Sequence, residues 1–282
     1  MQRPDILLHL DSYPEPTSME AIDQAVAFGA SLDGVPTALA VHIDIRVPRN
    51  KMAEYLVGLS RLADEEEDKS LQACRRLLAH FVTRAKEAGM TGDTLLERAN
   101  LYLVGEHVAQ RARTRDLCIV PVIDRLDGQR SVAEAVIFDS GRPTIVFSPG
   151  VADLPKAGLH TVVLAWDGSR CAARAMADAM PVLTRAKKVV VFTAVKEKPS
   201  AVSGLGDEAV RYLKGHGVAA VSEQRDAERQ PIGEVLDRFV VDAGAGMLVM
   251  GAYGRSKVRE FILGGATEHV LSRPKVPLLL SH

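Results

Sequence analysis

The feature that most constrains this chain is an internal repeat. One half opens Asp5-Ile6-Leu7-Leu8-His9-Leu10-Asp11-Ser12, the other Thr161-Val162-Val163-Leu164-Ala165-Trp166-Asp167-Gly168-Ser169. Each is a short apolar run stopped by Asp and a turn residue, and each leads into an alanine-rich helical stretch, Ala21 to Ala30 and Ala172 to Leu183. The closings match as well. Arg142-Pro143-Thr144-Ile145-Val146-Phe147-Ser148 and Val276-Pro277-Leu278-Leu279-Leu280-Ser281 each set one proline before an apolar run that ends in serine. Self-similarity on this scale makes each half one folding unit. The 282 residues suit two domains of about 140 residues. The expected domains are residues 1–150 and 156–282, joined by the proline-bracketed Pro149-Gly150-Val151-Ala152-Asp153-Leu154-Pro155.

Within the second half, apolar runs alternate with helical patterns. Strands are expected at Thr161–Trp166, Lys188–Val195, Val218–Gln224, Met247–Met250 and Val276–Ser281, with helices at Cys171–Thr184, Asp207–Gly215, Ile232–Ala243 and Ala266–Ser272. Runs such as Val189-Val190-Val191-Phe192 are apolar without alternation, which marks parallel strands covered on both faces. Right-handed crossovers then give an α/β, doubly wound sheet in each half. In the first half the longest helix is expected from Leu59 to Ala88, and its run Asp64-Glu65-Glu66-Glu67-Asp68 reads as a solvated face.

The bulk composition excludes more than it selects. The formal net charge is −1 at pH 7, so the whole-chain charge gives no argument for nucleic acid or an acidic membrane surface. No apolar run approaches the roughly 20 residues of a membrane span. No signal-peptide pattern is read at the start. The three cysteines, Cys74, Cys118 and Cys171, are far apart, which is neither a disulfide framework nor a zinc pattern. A cytoplasmic setting is expected.

The chemistry concentrates in Val249-Met250-Gly251-Ala252-Tyr253-Gly254-Arg255 and in Leu263-Gly264-Gly265-Ala266-Thr267. Gly251 ends a buried strand, and Gly264 and Gly265 precede a short helix. Glycines let backbone approach a ligand and adopt positive φ. Successive N–H groups form an anion-binding nest, and a helix N-terminus adds dipole attraction. Arg255, Lys257 and Arg259 bring cations, and Thr267 a hydroxyl donor. Neither a Walker loop nor a dinucleotide fingerprint is present.

This segment resembles the ATP-binding motif of the universal stress protein family: Gly, two residues, Gly, nine residues, Gly, then Ser or Thr. Gly251, Gly254 and Gly264 match, and Gly265 replaces the hydroxyl residue. The resemblance covers both halves and implies two tandem domains, each a five-stranded parallel sheet of order 3-2-1-4-5 flanked by helices. It implies an ATP-class nucleotide, with Mg as counter-ion, met by Asp167 at the adenine, by the backbone of Ala194, and by Met250 and Tyr253 beside the phosphate loop. Gly251, Gly254, Arg255, Gly264, Gly265, Ala266 and Thr267 complete the expected nucleotide-binding set. With that strand order, Asp167 and Gly251 end neighbouring strands where the order reverses, the usual ligand crevice. In the first half, Pro121, Asp124, Arg130 and Ser131 stand for Gly251, Gly254, Gly264 and Gly265, and Asp124 and Asp127 add negative charge, so that half is expected to have lost the site. The expected function is nucleotide-dependent regulation in the stress response, through an unidentified protein partner. A slow ATP hydrolase or phosphotransferase and a ligand-free scaffold remain alternatives. The two closing strands are expected to pair within the chain as a pseudo-dimer, with further association of whole chains left open.

Overall fold

The computed structural model describes residues 3–46, 58–123, 127–155, 159–195, 204–227, 230–252 and 265–282; of 127–129 it describes the backbone alone. The first half runs β1 (Asp5–Leu10), α1 (Met19–Ser31), β2 (Val35–Asp44), α2 (Leu59–Glu87), β3 (Asp93–Asn100), a 3-10 turn (Leu101–Leu103), α3 (Val104–Ala112), β4 (Leu117–Pro121), α4 (Asp127–Asp139) and β5 (Thr144–Phe147). The second runs β6 (Thr161–Ala165), α5 (Arg170–Asp178), α6 (Met180–Leu183), β7 (Lys188–Val195), α7 (Leu205–Gly215), β8 (Ala220–Asp226), α8 (Ile232–Asp242), β9 (Met247–Gly251), α9 (Gly265–Ser272) and β10 (Leu278–Ser281). The expected α/β alternation is present in both halves.

All ten strands join one sheet in the order β3-β2-β1-β4-β5-β10-β9-β6-β7-β8. Each half is therefore 3-2-1-4-5, and every pairing inside a half is parallel. The halves meet where β5 and β10 pair antiparallel, with Ile145 opposite Leu279. Pairing these edges satisfies backbone groups that an open sheet would expose. The expected intramolecular pairing of the closing strands is what the chain does.

Burial follows from the strands being apolar on both faces. One core cluster packs Leu8, Phe28, Phe81, Leu164, Leu183 and Leu213 on one side of the sheet. The other packs Leu7, Val120, Val136, Phe192, Phe239 and Leu280 on the opposite side. Both clusters run through both halves. The join is packed too. Leu154 is buried, its N–H donates to Gln24 of α1 at 2.9 Å, and Gly150 turns with φ +78°.

Several boundaries differ from the sequence reading: β10 begins at Leu278 rather than Val276, α7 begins at Leu205 rather than Asp207, and two further differences have a visible cause. The helix expected over Cys171–Thr184 breaks at Ala179, and α6 restarts with Pro181 in its first turn. Proline lacks an N–H and crowds the carbonyl four residues back, so it ends one helix and is tolerated at the start of the next. Strand β8 lies two residues later than expected, at Ala220–Asp226. The N–H of Val218 closes α7 by donating to Leu213, and pairing with β7 carries the strand to Asp226 opposite Val195.

Candidate functional site

Strands β6 and β9 are neighbours, with Leu164 opposite Val249, so the Asp167 turn and Gly251 lie at adjacent carboxyl ends. Beyond β6 the chain turns through Gly168 at φ +72°. Asp167 Oδ1 accepts the Ser169 N–H at 2.9 Å, and the Ser169 hydroxyl accepts the Ala172 N–H at 3.1 Å. Ser169, rather than Asp167, is thus the cap of α5. Trp166 is half-buried against the core, and its indole N–H donates to the Leu205 carbonyl at 3.1 Å.

Gly251 brings α5 onto the same spot. A Cβ there would lie 2.4 Å from the carbonyl carbon of Cys171 and 2.7 Å from the Ala172 nitrogen. Neither Gly251 nor Gly265 is among the glycines of positive φ. At Gly251 the glycine is required by close approach of a helix, and the left-handed freedom expected from sequence is not used. Met250 is buried beside it, and Ala194, on β7, packs against the same side of the core. The Ser281 hydroxyl, opposite Gly251, donates to Asp178 Oδ2 at 2.5 Å and ties the end of β10 to α5.

Helix α9, which carries the last residues of the expected set, packs on α8. Gly265 begins it exposed, Ala266 follows, and Thr267 is buried in its first turn. His269 fastens this helix to α8, since its Nε2 meets Asp237 Oδ2 at 2.9 Å. The ring sits where a Cβ on Gly233 would be, 2.3 Å from its Cγ. Tyr253, Gly254, Arg255 and Gly264, with Lys257 and Arg259, lie outside the described residues. Of the expected set, Asp167 and Gly251 lie at the ends of neighbouring strands with Met250 beside them, Ala194 lies on the next strand, and Gly265, Ala266 and Thr267 begin α9.

The first half has the same frame with different residues at the matching strand ends. The registers at β1–β4–β5 and β6–β9–β10 superimpose Asp11 on Asp167, Pro121 on Gly251 and Phe147 on Ser281. Asp11 is only 6% exposed, and its Oδ1 takes His9 Nε2 at 2.9 Å. Its N–H donates to the Thr17 hydroxyl at 2.8 Å. Ser12 donates to the Val41 carbonyl at 2.7 Å and lies 2.7 Å from the Ser70 hydroxyl. Pro121 supplies no N–H, and Phe147 is fully buried where the second half has a serine. Asp124 lies outside the described residues, as does the side chain of Asp127. The signal for His9 was available, because His-x-Asp on a strand places both side chains on one face.

Sequence reasoning also missed a contact between halves. Arg130 donates through Nε to Glu134 Oε1 at 2.8 Å and through Nη2 to Glu268 Oε1 at 3.3 Å, which lies on α9. Burial lowers its pKa, but the two carboxylates outweigh burial and leave it raised. Among the thiols, burial pushes Cys118 up to about 12 and raises Cys74, so neither is a ready nucleophile. Among the described residues no group of three or more His, Cys, Asp or Glu is arranged to hold a metal ion, and no helix is long and apolar enough to cross a membrane.

Comparison with other proteins supplies a family for one half and a fold for the whole. The universal stress protein family profile matches residues 158–282. A universal stress protein from Archaeoglobus fulgidus DSM 4304 is similar over 99% of this chain and 96% of its own, at 16% identity and a TM-score of 0.70. A candidate universal stress protein from Pseudomonas aeruginosa UCBPP-PA14 is similar over 99% and 93%, at 14% identity and a TM-score of 0.55. A protein of unknown function from Pseudomonas aeruginosa PAO1 is similar over 98% and 92%, at 15% identity and a TM-score of 0.54. At these identities the likeness is one of fold. No curated protein matches the chain.

Proposed function

Residues 158–282 form a universal stress protein domain on a chain that has the fold of such proteins throughout, and from that premise we propose that the protein is a nucleotide-binding regulator. It takes one ATP-class nucleotide per chain, in the second half, and acts by binding and conformational change. The observation that carries this reading is the difference between the two crevices. In the second, Asp167 and Gly251 follow neighbouring strands at their carboxyl ends, whereas in the first Asp11 is tied to His9 and Pro121 stands in the place of Gly251. In this reading the Asp167 carboxylate faces the base, and the Gly264–Thr267 turn offers N–H groups and a hydroxyl to the phosphates. Tyr253, Gly254 and Arg255 complete the cradle. Magnesium enters with the nucleotide, as its counter-ion. The setting we infer is the cytoplasm, where the buried Cys74 and Cys118 keep their thiols.

Isothermal titration of the full chain with ATP tests the proposal. The expected stoichiometry is near one, and Gly254→Val abolishes binding by setting a branched side chain against the phosphates. A stoichiometry near two, or unchanged affinity in a folded Gly254→Val protein, overturns it. Turnover is expected to be negligible, well below the ordinary enzymatic rate of about 1 per second.

A further inference from the structure

The first half lacks the motif glycines, yet one of its side chains reaches the crevice wall of the second. Counting back in sequence from Pro143 and Pro277, Arg130 corresponds to Gly264 of the other half. Its guanidinium leaves its own domain. Nε holds Glu134 one turn along α4, and Nη2 crosses the seam to Glu268 at 3.3 Å. Glu268 lies in the first turn of α9, three residues after Gly265. One arginine thus stands between two carboxylates, a trio of net charge −1, beside the helix end that under the proposed function receives a polyphosphate.

That arrangement is unfavourable for an anion as it stands. Glu268 repels the phosphates, and Arg130 is committed to neutralising it. A polyphosphate at the start of α9 offers the guanidinium a more highly charged partner within reach of its flexible stem. We propose, on the premise of the nucleotide reading, that Arg130 is the contribution of the first half to ligand binding in the second: it exchanges Glu268 for the polyphosphate when the nucleotide binds. Occupancy of one half is thereby felt at the contact between halves. The ligand feature recognised is the number of phosphate charges, not the base.

Titration calorimetry with ATP, AMP and adenosine on the wild type and on Arg130→Gln, Arg130→Lys and Glu268→Gln tests this. Arg130→Gln weakens ATP about fivefold, the scale expected for a partly screened charge near the surface. It weakens AMP less and leaves adenosine unchanged. Arg130→Lys keeps most of the ATP affinity. Glu268→Gln tightens ATP, because the competing carboxylate is gone. A mere staple between halves predicts otherwise, with both substitutions moving ATP affinity the same way or neither moving it. Either result, with urea midpoints confirming folded proteins, overturns the proposal while leaving the nucleotide reading intact. If the wild type binds no nucleotide, that reading fails, and this inference with it.

Discussion

The Cβ that Gly251 lacks would lie 2.4 Å from a backbone carbon of Cys171, closer than any real side chain comes. The neighbour is helix backbone, not the tip of a flexible side chain, so it cannot simply rotate away. Gly251→Ala is expected to cost about 1–3 kcal/mol, the usual toll of overpacking, read as a lower urea midpoint with an unchanged slope. A midpoint equal to the wild type would show that α5 is free to lift off β9. This residue also shows how far sequence reasoning reaches. The spacing Gly251-x-x-Gly254 identified the place, because a motif is a pattern along the chain. The reason for the glycine was not legible, because Cys171 is eighty residues away. Asp11 and Asp167 make the same point: in two similar Asp-turn sequences Asp11 meets His9, which stands where the other half has Ala165, while Asp167 accepts the Ser169 N–H.

At the scale of elements, the apolar runs gave strand positions well, since a parallel strand covered on both faces must be apolar throughout. Lys188–Val195 was legible to the residue. Two of the boundaries that slipped are decided by something other than apolarity: the Pro181 break, and the polar end of β8, which pairs as an edge strand despite exposing Arg225 and Asp226. The element that holds the halves together is β10. Leu279 is fully buried, opposite Ile145, in a strand of four residues that pairs with β5 on one side and β9 on the other. Leu279→Ala should cost about 2–5 kcal/mol, because the surrounding sheet has little freedom to collapse onto the cavity. Circular dichroism during urea unfolding measures it. A loss below about 1 kcal/mol would mean that the seam is loosely packed.

Across the whole molecule, the continuous sheet and the two shared core clusters predict that the halves unfold together. The chain offers its own test, because its one tryptophan, Trp166, lies in the second half, whereas helical ellipticity comes from both. Fluorescence and circular dichroism transitions in urea are expected to coincide. A fluorescence transition displaced from the ellipticity midpoint would make the halves separate cooperative units. The single sheet was legible from two proline-led closing strands, each an exposed edge unless paired. The Arg130–Glu268 contact was not, since nothing local links residues so far apart in sequence. The antiparallel seam has one more consequence. It relates the halves by an approximate dyad, as in a homodimer, but a homodimer must present every substitution twice. Joining the two copies in one chain removes that obligation. Equivalent positions can then differ, as His9 and Ala165 do, and as Pro121 and Gly251 do. Each half is free to change the ends of its strands while the seam between them keeps its symmetry.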